Sequence, residues 1–374
     1  MTALMTSPDE RFMRRALVLA AAGRGAVEPN PMVGAVIVRD GEVLGEGCHR
    51  RFGGPHAEIE ALRSATAAGR NVRGATMYVT LEPCCHHGKT PPCAQALIEA
   101  GISRVVAAMQ DPDEHVAARG FAMLREAGVE VEVGVCGREA RRLLRAYIKL
   151  RTTGRCWVIC KWAQTADGYL ALPKGEGRWV SSAEARADVH RLRGRCDGIC
   201  VGIEPVLADD PFLTNRSGVG GQPARVVLDT HLRIPLSCRL MRTMDTAPVI
   251  VAASKASSRA HPGRLEALRA AGAQVELLPA DERGVDLAAL LDALGKRRWT
   301  YLLVEGGAKV LGSFVAADLA DELRVYVSPA RVGCGAGALA RFDVADLAER
   351  LGGEPDERRR VGTDTMLKYI LKEY

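Results

Sequence analysis

The chain reads as two consecutive α/β domains, the first a three-layer sandwich around a mostly parallel sheet. Three observations lead there. At 374 residues and 47% hydrophobic content, there is enough apolar sequence for two sizeable cores. After one hairpin signal, strand-like and helix-like segments alternate, which is the pattern of a sheet covered by helices on both faces. A short polar stretch at residues 151–156 interrupts the alternation, and a second α/β series starts behind it. The expected domains are therefore 1–150 and 151–374.

Taken in order, Ser7 or Asp9 can cap a first helix running to about Gly23. Met13-Arg14-Arg15 and the apolar run after it imitate a signal peptide. The run is short and follows Asp9 and Glu10, so it reads as a helix. Asn30-Pro31 breaks the chain. Residues 33–38 form a β-branched run, Asp40-Gly41 is a hairpin turn, and residues 42–48 pair back. Helix 56–68, strand 75–81, helix 94–100, strand 104–109, helix 120–127, strand 129–133 and helix 138–151 complete the first series. The second opens with strand 157–163 and a turn over residues 164–168. A helix capped by Ser181 or Ser182 runs to Arg195, strand 198–201 is buried, and residues 206–211 read as a loop. Strands 225–228 and 248–252, helix 260–271, strand 274–278, helix 286–295 and strand 300–304 follow. Glu305-Gly306-Gly307 opens a helix to about 317, and strands 322–327 and 365–372 close the series.

The first domain carries the chemistry most plainly. His56-Ala57-Glu58 is followed by Pro83-Cys84 and then Cys93. One imidazole and two thiolates fill three of four tetrahedral positions of Zn²⁺ and leave one for water, as a hydrolytic deaminase requires. Glu58 is the proton carrier in that scheme, and His56, Cys84 and Cys93 are the ligands. Eight residues, 85 to 92, separate the two cysteines, where the common deaminase pattern has two. Cys85 is a further candidate, but adjacent side chains usually point in different directions. Pro91-Pro92 can start a helix, placing Cys93 at a positive helix end that favours a thiolate. The competing reading is an exposed His-Ala-Glu with buried free cysteines, or a closed structural zinc site with four ligands.

Composition narrows the rest. Net charge is +6, mild for this length, and suits an anionic small molecule as well as nucleic acid. Aromatic content is only 5% and the charges are scattered, against the basic stripe with interleaved aromatics of a nucleic-acid binder. Eleven irregularly spaced cysteines point to a reducing, cytoplasmic setting rather than a disulfide scaffold. No stretch approaches the roughly 18 apolar residues of a membrane span. In the second half, Gly218–Gly221 and Gly333–Ala338 lack the setting of a dinucleotide fingerprint. Val304-Glu305-Gly306-Gly307, at a strand-to-helix turn, is the better phosphate candidate, with glycines for a tight turn as the plain alternative.

The run from Thr80 to Cys93 (TLEPCCHHGKTPPC), with Asn30–Gly34, Gly45–His49 and Met109–Pro112, resembles more than the cytidine-deaminase-like superfamily. It is similar to the deaminase half of the bifunctional riboflavin-biosynthesis deaminase/reductase family. Lys161, Thr165, Ala166-Asp167-Gly168, Trp179, residues 206–211 and 304–307 resemble that family's reductase half. The order of motifs matches from about residue 10 to about residue 330. The resemblance implies a cytidine-deaminase-like sandwich followed by a dihydrofolate-reductase-like α/β domain. It implies Zn²⁺ and NADPH as cofactors, phosphorylated pyrimidines as substrates and a homo-oligomer, with no nucleic-acid or membrane partner. A nucleic-acid base deaminase with an appended binding domain is the rival.

By the same resemblance, Asn30 and His49 face the first substrate, and Cys85, where the family usually has Ser, is not a ligand. His86 and His87 are loop surface or phosphate contacts. In the second domain Ala163, Trp179, Asp209 and Thr230 lie along the cofactor, and Gly307, Ala308, Lys309, Val310, Leu311, Gly312 and Ser313 surround its phosphates. Arg193, Leu213, Arg216 and Glu305 contact the ribose-phosphate substrate, and two arginines suit bidentate grip of a phosphate. Lys161 or Asp209 is the expected proton source. Two departures stand out. Pro205 replaces a usual Thr, removing a hydroxyl and an N–H near the cofactor. Gly177-Arg178 stands where a substrate-contacting Ser is common. Taken alone, Asn30 reads as a turn residue, Trp179 as core, and Lys161 and Arg193 as surface charges.

Overall fold

The computed structural model describes residues 7–85, 92–113, 117–173, 175, 179–333, 340–351 and 353–374. Two compact units divide it: Met1–Thr153 with Tyr374, and Gly154–Glu373.

The first unit begins with α1 (Pro8–Ala21), whose N-cap Ser7 accepts the Glu10 N–H and whose first residue is proline. Strands β1 (Gly34–Arg39) and β2 (Glu42–Cys48) form a hairpin across Asp40-Gly41, both at positive φ. Then come α2 (Ala57–Ala67), β3 (Thr76–Val79), α3 (Cys93–Glu99), β4 (Arg104–Ala107), α4 (Arg119–Glu126), β5 (Glu130–Val133) and α5 (Gly137–Thr153). The sheet order is β2-β1-β3-β4-β5. The hairpin and the β1–β3 pair are antiparallel, and β3, β4 and β5 run parallel. Helix α1 packs on β1 and α5, while α2 packs on β2 and β1 and meets α3, so helices cover both faces. Val36, Ile37, Met77, Val79 and Val105 form the buried middle of the sheet.

The second unit begins with β6 (Trp157–Gln164), α6 (Ala183–Arg193), β7 (Gly198–Gly202), α7 (Ile203–Asp209) and β8 (Ala224–Leu228). It continues through α8 (Arg239–Arg242), β9 (Val249–Ser254), α9 (Lys255–Ala260), α10 (Pro262–Ala270), β10 (Gln274–Leu278) and the small hairpin β11 (Ala280–Asp281) and β12 (Gly284–Val285). Helix α11 (Leu287–Lys296), β13 (Tyr301–Val304), α12 (Ala308–Ala316), β14 (Glu322–Val327), α13 (Val344–Leu351), β15 (Glu357–Val361) and β16 (Asp364–Ile370) complete it. The nine-stranded sheet has the order β10-β9-β8-β7-β13-β6-β14-β16-β15. It is parallel from β10 to β14, and β16 and β15 add antiparallel strands at one edge. Val158, Val226, Ile250, Leu302, Val304 and Phe314 lie in its core.

The sequence reading has no counterpart for α8, β11, β12 or α13, and three further segments depart from it. Residues 206–211, expected as a loop, lie largely in α7, a two-turn helix that buries only Ile203 and Val206. The expected linker at 151–156 is shorter, because α5 continues to Thr153. The charged run Arg358–Arg360 forms most of β15, an edge strand exposed along its middle, where charge blunts unwanted pairing. No described helix is long and apolar enough to cross a membrane.

One packing feature positions chemistry directly. A Cβ on Gly47 would lie 2.3 Å from Ala57 O, and one on Gly45 would lie 2.4 Å from Ala61 O. These glycines let α2 rest on the backbone of β2, which sets the depth of the first turn of α2. Gly47→Ala should lower stability by about 1–3 kcal/mol, the usual cost of overpacking. Its check is a lower thermal midpoint together with reduced zinc content, since His56 and Glu58 ride on that turn.

Candidate active sites

In the first unit three separate elements deliver the expected ligands. His56 is the N-cap of α2, with extended backbone (φ −74, ψ 162), and makes no side-chain cap. Its imidazole is therefore free to point elsewhere. Cys84 lies in the turn after β3, and Cys93 opens α3 behind the Pro92 cap. His56 Nδ1 is 3.5 Å from Cys84 Sγ and 3.3 Å from Cys93 Sγ. All three ligand atoms lie within 4.8 Å of one another, and among the described residues no other such His/Cys/Asp/Glu group occurs.

These distances fit a tetrahedral ion. Zn–N of about 2.0–2.1 Å and Zn–S of about 2.3 Å place N and S about 3.5 Å apart. The protonation chemistry fits as well, because a ligand must shed its proton to bind a cation. Hydrogen bonding from Cys93, then from His56, pulls the Cys84 thiol down to about 4, against the opposing effect of burial. The backbone N–H of Cys93 also donates to Cys84 Sγ at 3.3 Å. The Cys93 thiol is pushed up by its hydrogen bond to Cys84 and by burial. His56 is raised to about 9, chiefly by its hydrogen bond with Cys84. The cluster thus holds protons between a thiolate and two partners, where a dication would replace them. Cys85 is outside the cluster, and burial raises its thiol.

Glu58 sits in the first turn of α2, 3% exposed. Burial first, then the Cys84 charge, raise its carboxyl to about 7. A dication at the cluster would lower it again. Asn30 and His49 converge on the same place. The His49 ring is 5.6 Å from that of His56, edge to face. Its Nδ1 meets Pro55 O at 2.9 Å, which assigns the proton there and leaves Nε2 to accept from Asn30 Nδ2 at 3.3 Å. Burial holds His49 below its ordinary value, so the ring stays neutral. His86 and His87 lie outside the described residues.

In the second unit the expected cofactor residues fall at the carboxyl ends of four neighbouring parallel strands, where open α/β sheets bind ligands. Thr230 follows β8, and Pro205 and Asp209 lie in α7 behind β7. Gly307 caps α12 behind β13, with Ala308, Lys309, Val310, Leu311, Gly312 and Ser313 in the helix. Ala163 is on β6. A Cβ on Gly307 would meet nothing closer than the Pro205 ring at 3.9 Å, so these two positions face each other. No side chain caps α12, which leaves its first N–H groups for an anion, as a dinucleotide pyrophosphate would require. Trp179 is 54% exposed, not core, with the Arg186 guanidinium over its ring. Gly177 and Arg178 lie outside the described residues.

Three expected substrate-side groups form one charged cluster. Glu305 accepts from Arg193 Nε at 2.9 Å and Nη2 at 2.7 Å, and lies 3.2 Å from Lys161 Nζ. Arg193 Nη1 donates to Thr214 O. The bidentate fork expected to grip a phosphate is thus spent on Glu305. The cations hold Glu305 down to about 2 against burial, while burial lowers Lys161 below its ordinary value. Arg216 is exposed, with its Nε at 3.2 Å from His190 Nε2. Leu213 is buried at positive φ (50°), a costly conformation for a branched residue. Asp209 is exposed at the end of α7. His190 was missed by the sequence reading; its place one turn before Arg193 on α6 was the available signal.

The same two-part division appears in comparisons with known proteins. Residues 6–109 match the cytidine and deoxycytidylate deaminase zinc-binding region, and residues 156–351 match the RibD C-terminal domain. The riboflavin biosynthesis protein RibD of Escherichia coli is 39% identical over 376 residues, covering 97% of this chain and 99% of that protein. That of Aquifex aeolicus is 39% identical over 360 residues, covering 96% and 97%. The chain belongs to the RibD family. It is a bifunctional deaminase and reductase of riboflavin biosynthesis, with a zinc-binding deaminase domain and an NADPH-dependent reductase domain. Solved structures agree. RibD from Acinetobacter baumannii superposes with a TM-score of 0.82 at 36% identity, covering 97% of this chain and 98% of that one. A deaminase/reductase from Thermotoga maritima gives 0.79 at 36% identity, covering 96% and 98%.

The ligand set has a direct check. Cys84→Ser and Cys93→Ser should each strip zinc from dialysed protein, whereas Cys85→Ser should retain about one zinc per chain by elemental analysis. Zinc loss from the Cys85 variant would overturn the assignment.

Proposed function

We propose that the first unit hydrolyses the exocyclic amine of 2,5-diamino-6-ribosylamino-4(3H)-pyrimidinone 5′-phosphate. The second unit then reduces the ribosyl chain of 5-amino-6-(5-phosphoribosylamino)uracil to ribityl. The observation that carries this reading is Glu58, a buried carboxyl in the first turn of α2 behind the three-ligand cluster. Zn²⁺ held by His56, Cys84 and Cys93 would supply the Lewis acid that acidifies water. Glu58 would pass one proton of that water to a ring nitrogen as the oxygen adds to the amine-bearing carbon, and the second, from the added hydroxyl, to the amine, so that the C–N bond breaks as the carbonyl forms and ammonia leaves. Neutral His49 and the Asn30 amide it orients hold the ring edge.

In the second unit NADPH, held by the turn at Gly307 and the start of α12, would supply the hydride for the anomeric carbon of the ring-opened imine. Lys161 is the better placed proton source: it is buried, lies against Glu305, and has its ammonium proton loosened by burial. Asp209, exposed on α7, suits a cofactor contact instead. Arg216 is the phosphate contact, and Arg193 anchors Glu305 and the backbone at Thr214. Pro205 still faces Gly307, so the cofactor turn keeps its shape without the usual hydroxyl. The domain boundary belongs at the end of α5, near residues 151–154. A cytosolic homo-oligomer completes the proposal, and the eleven irregularly spaced cysteines support the reducing compartment.

Four substitutions test the roles. Glu58→Gln should keep zinc and lose ammonia release by about 10²–10⁴-fold, the usual share of general acid–base help. Lys161→Met should lose reductase kcat on the same order, while Asp209→Asn should raise KM for NADPH with kcat held. The pH sign follows from burial. A lysine held below its ordinary 10.5 loses its proton earlier as pH rises. Reductase activity should therefore fall along an alkaline limb below that value, and Glu305→Gln, by removing the counter-charge, should move the limb lower still. An unchanged limb in the Glu305 variant would remove Lys161 from the role.

A further inference from the structure

Cys84 contributes one of three ligand atoms from a turn rather than a helix, so something must hold that turn. Glu82, two residues before it, is 4% exposed. Its Oε2 accepts the backbone N–H of Asp111 at 3.2 Å and of Ala118 at 3.0 Å. Its Oε1 accepts those of Gly120 at 2.9 Å and Phe121 at 3.3 Å. Its own N–H donates to Met109 O. Four described donors from two chain segments therefore converge on one carboxylate, the side chain with acceptor sites for about four and no donor. A glutamine of the same shape would turn an NH₂ against two of those N–H groups.

Pro83 follows, and a Cβ on Gly120 would lie 2.0 Å from Pro83 O. The start of α4 thus presses on the peptide between Glu82 and Cys84. On the far side, Cys84 O accepts the Ala94 N–H and Cys84 Sγ accepts the Cys93 N–H. The ligand is held between two helix beginnings, and Glu82 fastens one of them.

We propose that Glu82 is a positioning residue for the metal centre, clamping the start of α4 and the segment after β4 onto the Cys84 turn so that its sulfur stays in tetrahedral register. The proposal rests on the three-ligand reading of the cluster. It asks nothing of Glu82 as a ligand or a proton carrier. Partners behind metal ligands commonly alter metal affinity by about 10–100-fold when replaced.

The test uses the full chain, loaded with zinc or with cobalt(II), whose visible bands report sulfur geometry. Glu82→Gln should speed zinc loss to a chelator by about 10–100-fold and shift the cobalt bands. It should lower deaminase kcat more than it changes KM, and leave reductase activity as an internal measure of folding. Gly120→Ala displaces the same peptide from the other side and should reproduce the cobalt shift, which keeps the question answerable if the Glu82 variant folds poorly. Parent-like cobalt spectra and chelator rates in both variants would overturn the proposal. So would equal slowing of both activities with an unaltered spectrum, the mark of general destabilisation. A parent chain that binds neither metal would fail the ligand assignment itself, leaving the two ideas distinguishable.

Discussion

Three donor atoms from three chain segments must meet within a few ångströms for the first unit to act, and most of its local structure follows from that demand. Each ligand is placed by a different device. His56 depends on α2 lying against the backbone of β2, which Gly45 and Gly47 allow. Cys93 depends on Pro92 as the cap from which α3 starts at once, so that its own N–H reaches Cys84 sulfur. Cys84 depends on the turn after β3, braced by a buried carboxylate. Glu58 then follows without further cost, because the turn that carries His56 also carries it, and burial there suits a group that must both take and give a proton.

The second unit solves a different problem, that of placing two cations in a buried site. Glu305 meets both Arg193 and Lys161, and breaking such a buried set by removing one member costs several kcal/mol. The arrangement ties Arg193 and Lys161 to one carboxylate, with Lys161 the group proposed to give up a proton. It also ties the carboxyl end of β13 to the end of α6 and to the backbone at Thr214, beside the strained Leu213. The two regions therefore share one structural feature: a buried carboxylate, Glu82 or Glu305, gathers several partners beside the groups proposed for the chemistry.

Periodicity made most of the fold legible. The alternating segments of the first half and the strands of the second are strongly apolar, and their positions follow from burial on both faces. Much of what escaped notice had little apolar signal to offer, although α13, with Val344, Leu347 and Leu351 at helical spacing, was passed over as well. Helix α7 buries two residues, β15 is an exposed edge written as a run of arginines, and α5 runs past its last apolar position. Among site residues, His56, Glu58, Cys84 and Cys93 were legible because metal chemistry restricts residue type and order. The contacts of Glu82 with four backbone N–H groups and of His190 with Arg216 were not, since they join positions far apart in sequence. The engagement of Arg193 by Glu305 was equally hidden, because 112 residues separate the partners.

The proposed function has one chain carry out two reactions in a set order. The direct measurement gives purified protein the diaminopyrimidinone ribose 5′-phosphate without and then with NADPH, following ammonia, both pyrimidine products and NADPH absorbance. Without NADPH, ammonia release and accumulation of the deaminated ribosylamino compound are expected. With NADPH, that compound should be converted to the ribityl product, with equal amounts of ammonia and oxidised cofactor. Oxidation of NADPH without ammonia release, or ammonia release with no later use of NADPH, would overturn the proposed order.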